Sequence, residues 1–164
     1  MASTFLYVTY IRTTPAKLWE ALIRPEFTRQ YLFGSHFESD WKTGSPWKLV
    51  GSGGRVDDAG EILEIEPPKR LVLKWRNEFI PERTAEGYTR CTFDIVPQNG
   101  VVELKVTHET ERDNSKTIGG VSRGWPKILS GLKSLLETGQ PLDSADRAVA
   151  SGTEVMESGR ARAG

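Results

Sequence analysis

At 164 residues, the chain fits one ordinary domain that buries about two-thirds of its unfolded surface, so neither disulfides nor a structural metal are needed to hold it. Lys plus Arg and Asp plus Glu stand at 22 each, which removes the charge bias that nucleic acid or an anionic bilayer exploits. The single cysteine, Cys91, cannot close an intramolecular disulfide, and there is no N-glycosylation triplet, no signal-peptide pattern and no apolar run near the roughly 20 residues of a membrane span; a cytoplasmic protein is expected.

Thr4 to Arg12 mixes β-branched and aromatic residues, the composition of a strand on a half-buried surface. Thr14-Pro15 then supplies an N-cap hydroxyl and a first-turn proline, and Leu18, Trp19 and Leu22 recur at helical spacing, so a short helix runs to about Ile23. Pro25 stops it, and Phe27 and Tyr31, four apart, predict a second short helix before Gly34.

From Trp41 onwards, short apolar stretches are broken by Thr43-Gly44-Ser45-Pro46, Gly51-Ser52-Gly53-Gly54, Pro67-Pro68 and Gln98-Asn99-Gly100, the punctuation of an antiparallel meander. Asn99-Gly100 favours a tight two-residue hairpin turn. Cys91, Phe93 and Ile95 share one face before that turn, and Val102, Leu104, Val106 and His108 share one after it. Leu71, Leu73 and Trp75 alternate in the same way, whereas Ile62, Leu63 and Ile65 read as a strand blurred by a bulge or by burial on both faces. The adjacent Asp57-Asp58 reads as a turn.

Val121, Trp125, Ile128, Leu129, Leu132, Leu135 and Leu136 form one stripe at 3.6-residue spacing, ended by Gly139 and Pro141: a long helix. Pro126 inside it predicts a kink, or a regular part that begins near Trp125. Residues 1–140 are expected to form the domain. Residues 141–164, poor in apolar side chains, are expected to form a flexible tail.

Strand, two short helices, about six strands and a long helix is the order of the START-like (SRPBCC) superfamily. Four stretches narrow the likeness: Thr14-Pro15-Ala16-Lys17-Leu18-Trp19-Glu20-Ala21-Leu22, the segment from Gly60 to Leu71, the strand ending in Lys74-Trp75, and Gly124-Trp125 opening the final helix. Through these the chain resembles the bacterial homologues of the activator of heat-shock protein 90 ATPase. The resemblance covers residues 4 to about 139 and implies an α+β helix-grip fold, a curved antiparallel sheet of six or seven strands around a long C-terminal helix. It does not imply one function, since related proteins include lipid carriers, polyketide cyclases, antibiotic self-resistance proteins and co-chaperone domains.

A bent sheet gripping a helix provides an interior in which a small hydrophobic ligand such as a lipid, polyketide or aromatic metabolite binds. Strand alternation and the helix stripe place Trp75, Phe93, Val106, His108, Trp125 and Leu129 there, with plain core packing as the rival role for each. His108 could orient a ligand or serve as a base, with Glu64 or Tyr88 as its partner in a cyclase-like or hydrolase-like enzyme. Glu64 or Glu66 could lie near the cavity mouth, or on the sheet surface. No catalytic set is assigned, and no metal or cofactor is expected: two scattered histidines and one cysteine do not make a zinc site, and no Gly-Lys-Ser/Thr comes after Gly51-Ser52-Gly53-Gly54 to make a phosphate loop. The third reading is a co-chaperone-like surface for a protein partner.

Overall fold

The structure, a computed structural model, describes residues 2–142. Seven strands, β1 (Ser3–Ile11), β2 (His36–Ser39), β3 (Pro46–Val50), β4 (Val56–Glu66), β5 (Arg70–Asn77), β6 (Thr89–Gln98) and β7 (Val101–Thr110), form one antiparallel sheet. Its order is β1-β7-β6-β5-β4-β3-β2. After β1, the helices α1 (Pro15–Ile23) and α2 (Pro25–Tyr31) carry the chain to the far edge, and hairpins bring it back strand by strand until β7 pairs with β1. A third short helix, α3 (Pro81–Thr84), follows β5. The curved sheet then receives α4 (Lys116–Thr138) on its inner face, completing the helix-grip arrangement.

Local chemistry accounts for the boundaries. Thr14 Oγ1 accepts from the Lys17 N–H and Pro15 opens α1. Asn99 and Gly100 both take positive φ, 48° and 88°, in the turn that fixes the β6–β7 register. The register of β4 against β5 slips between Ile62 and Glu64, the bulge that blurs this strand's period. Gly139, at φ 84°, ends α4 by giving its N–H to the Leu135 carbonyl.

Three expectations change. Asp57 and Asp58 are not a turn but belong to β4, which begins at Val56. The helix α3 joins the two short helices that the sequence predicts. The long helix starts a full two turns before Trp125, because Ser115 caps it and Pro126 is accommodated within it. The expected tail lies outside the described residues, apart from Pro141 and Leu142.

The core lies between the sheet's inner face and the helices. Leu18, Ile62, Leu73, Leu104, Leu129 and Leu132 are fully buried there. The outer face carries charge: Arg70 of β5 bridges Glu64 of β4 and Asp94 of β6 at 3.1 and 2.6 Å.

Candidate functional site

Trp75, Phe93, Val106, His108, Trp125 and Leu129, the six residues that strand alternation and the helix stripe placed inward, are all buried in the core. Four of the rings meet. Trp75 lies 5.3 Å from His108 and 5.9 Å from Trp125, and Phe93 lies 5.7 Å from Trp125, each pair tilted or edge-to-face. Phe37 and Trp47, from the far edge of the sheet, extend this aromatic layer to Trp75 at 6.4 and 4.7 Å. Edge-to-face contacts are the favourable geometry for such rings, so in this state the six side chains pack on one another.

Polar groups thread the cluster. The Trp125 indole N–H donates to His108 Nδ1 at 3.2 Å. That bond requires Nδ1 to be unprotonated, so the imidazole proton sits on Nε2 and is donated to Thr89 Oγ1 at 2.8 Å. Thr89 passes its own hydroxyl proton to the Trp75 carbonyl at 3.0 Å. The Trp75 indole N–H in turn donates to Asp58 Oδ1 at 3.0 Å, where Asn77 Nδ2 also donates at 3.2 Å.

Electrostatics reflect this enclosure. Burial pushes the His108 pKa down to about 3, so the ring stays neutral. Asp58 is pushed up to about 7, chiefly by desolvation and also by neighbouring Asp57, against the hydrogen bonds of Trp75 and Asn77 and the charge of Arg83. The residue keeps some accessible surface, but its carboxyl is wrapped closely enough that desolvation dominates. Burial likewise raises the Cys91 thiol, so this cysteine is a small apolar core group.

Asp58, Thr89 and Asn77 are members of the site that sequence reasoning missed. Thr89 was within reach of the alternation, two residues before Cys91 on the same face. The candidate enzyme partners are elsewhere. Glu64 is on the outer face with Arg70, Glu66 is exposed, and Tyr88 lies outside beneath Lys74 and Arg76, each 4.7 Å from its ring. His36 pairs with Glu38 at the sheet edge. A groove of about 190 Å³ opens on the outer face along Pro46, Glu61, Lys74 and Tyr88, and none of the six inward residues lines it. Among the described residues no cluster of three or more His, Cys, Asp or Glu could hold a metal, and no helix is long and apolar enough to cross a membrane.

The family described as activator of Hsp90 ATPase homolog 1-like protein matches over residues 12–137. No curated protein matches. Among solved structures, protein MLL2253 from Mesorhizobium loti is 25% identical with a TM-score of 0.70, over 82% of this chain and 96% of that one. CalU16 from Micromonospora echinospora, 21% identical with a TM-score of 0.68, is matched over 91% and 86%. PFC0360w from Plasmodium falciparum, described as an HSP90 activator, is 21% identical with a TM-score of 0.67 over 81% and 95%. The last two likenesses establish a common fold.

Proposed function

The chain belongs to the activator of Hsp90 ATPase homolog 1-like family, and on that premise we propose that it binds a small flat, mostly apolar molecule between the sheet and α4. The observation that carries this reading is the polar thread through the aromatic cluster, from Trp125 through His108 and Thr89 to Trp75 and Asp58. A core needing only stability gains little from burying a histidine and a carboxylic acid among indoles, because desolvation offsets most of what their hydrogen bonds contribute. A few convergent polar groups inside an aromatic lining are what orient a bound molecule.

Room for the ligand comes from the N-terminal half of α4. That half carries Gly119, Gly120 and Gly124, each weakening a helix by about 1 kcal/mol relative to alanine, and Pro126 cannot donate to the Ser122 carbonyl. The other half is held down by Leu129, Leu132 and Leu135. Outward movement of the glycine-rich half parts Trp125 from Trp75 and Phe93. Titration of flavonoids, aromatic polyketides and fatty acids against tryptophan emission tests the proposal. A saturable change with a flat aromatic is expected, and unchanged emission with all three classes rejects it.

A second reading has its own observation. Leu6, Val8 and Tyr10 are exposed in a row on the edge strand β1, an apolar strip of the sort that receives a protein partner. A co-chaperone role would run through such a strip. Stimulation of Hsp90 ATPase that is lost in Leu6→Ser, with tryptophan emission unaltered by ligands, favours this reading over the first.

A further inference from the structure

β1 is an edge strand: β7 pairs with one side of it, and among the described residues no strand lies on the other. Backbone N–H and C=O groups of alternate residues point to opposite sides of a strand. The Lys133 ammonium donates to the Tyr10 carbonyl and Glu137 accepts from the Arg12 N–H, so the even-numbered residues of β1 present their backbone groups to the free side. α4 closes only this end of it. On the flank of Lys133, one, two and three turns back, the helix carries Ser130, Pro126 and Ser122, side chains too short to cover the strand. Thr4, Leu6 and Val8 are left with a row of backbone donors and acceptors that no strand receives, and their side chains are exposed on the outer face. Such edges are ordinarily blocked by a lysine, a proline or a bulge. Ala2 to Ile11 contains neither a charge nor a proline, and β1 keeps one unbroken register against β7.

We propose that this edge pairs with the same edge of a second copy of the chain, antiparallel about a two-fold axis at Leu6, so that two sheets join into one. The proposal rests on the reading of the β1 strip as a protein-binding surface and names its partner; it is independent of the interior ligand. An axis at Leu6 sets Leu6 against Leu6 of the second copy and Thr4 against Val8 of the second copy, with about six backbone hydrogen bonds between them. On the inner side, the stacked rings of Phe5 and Tyr7 come opposite Tyr7 and Phe5 of the second copy, aromatic cross-strand pairs that favour association. A second copy suits the edge because every opposed pair is then apolar, aromatic or hydroxylic. The neighbouring strand selects the register. Glu109 of β7 lies beside Thr4, Lys105 beside Val8 and neutral Thr107 beside Leu6. Pairing about Leu6 aligns Glu109 of one copy with Lys105 of the other, whereas an axis at Val8 aligns lysine with lysine and one at Thr4 glutamate with glutamate. Three strand spacings, roughly 14 Å, separate these charges, so screening keeps their effect small. An axis at Val8 also needs the Tyr10 carbonyl, which Lys133 already holds. One strand per copy makes a small interface, below about 1,200 Å², and a weak dimer of micromolar affinity is expected.

The test is sedimentation equilibrium of the full chain from low micromolar to near-millimolar concentration. Expected is a mass that doubles across this range. Leu6→Lys and Leu6→Glu should each weaken the dimer at least tenfold by setting like charges face to face. Leu6 is 58% exposed in the single chain, so both variants should melt as the wild type does when dilute, which separates their effect from misfolding. Mixed in equal parts, the two variants should form a heterodimer about as tight as the wild-type dimer, an outcome particular to a residue that meets its own copy at the axis. A wild-type chain that stays monomeric, a dimer that both variants leave intact, or variants that fail to recover on mixing each overturn the pairing. If the chain is monomeric yet Leu6→Ser loses stimulation of Hsp90 ATPase, the strip serves a different protein and only the self-pairing fails. If it is monomeric and Leu6→Ser changes nothing, both readings of the strip fail.

Discussion

His108 and Asp58 respond to acid in opposite senses, and their proximity makes the sum informative. His108 titrates near 3 when folded and near 6.5 when unfolded, so between these values the unfolded chain binds more protons and acid destabilises the fold. Asp58 titrates near 7 when folded and near 3.9 when unfolded, so between those values the folded chain binds more protons and acid stabilises it. The slopes oppose each other at up to about 1.4 kcal/mol per pH unit each. From pH 6.5 to 5 the wild-type stability should therefore be nearly flat, since Glu38, Glu86 and Glu137 are lowered and titrate further down. Urea unfolding of Asp58→Asn should lose stability on acidification across that window, and His108→Gln should gain it; parallel profiles for both variants would contradict the assignment. His108 was legible in the sequence because it ends a period-2 run from Val102, whereas Asp58 was not. Two adjacent aspartates are turn formers locally, and only the pairing of Asp58 with Asn77 across the sheet reveals that it lies in a strand.

The first turn of α4 is fastened by a residue from outside the helix. Glu86, in the loop after α3, accepts from Ser115 Oγ and the Thr117 N–H through Oε1, and from the Lys116 N–H through Oε2, at 2.7, 3.3 and 2.7 Å. Desolvation raises its pKa, but these donors outweigh it and hold the carboxyl below its ordinary value. A carboxylate on otherwise unpaired helix N–H groups also meets the positive end of the helix dipole. Glu86→Ala should cost about 1–2 kcal/mol and speed amide exchange at residues 116–119 more than at 129–135; uniform exchange along the helix would show that its halves are not independent. This fastening explains why the helix begins before Pro126 although proline disfavours it. The apolar stripe from Val121 to Leu136 was readable because it records packing against a sheet. The true start was not, because its stabilising partner lies 29 residues earlier. α3, at four residues, is too short to show any period.

At the scale of the whole molecule, the chain's order and its core are tied together by the last described helix. β1 is laid down first but acquires its neighbour β7 only at the end of the meander, and the inner face stays open until α4 covers it. Ser3 Oγ donates to the Arg112 carbonyl and accepts from the Ser115 N–H, and Glu137 accepts from the Arg12 N–H, so both ends of the domain are joined by contacts that span nearly its full length. The buried apolar residues run from Ile11 to Leu135, which locates the closure of the core before Leu142. A chain ended after Leu142 should therefore melt within about 2–4 °C of the full-length protein, the shift that 1 kcal/mol produces at this size, and should keep its tryptophan emission. A chain ended before Lys116 should lose cooperative melting altogether, since removing Trp125, Leu129, Leu132 and Leu135 strips the sheet of its apolar cover. If the shorter deletion melts far below the full chain, residues 143–164 contribute to the fold and the domain does not end near residue 140. If it melts alike but no longer responds to an aromatic probe, those residues belong to binding and not to stability.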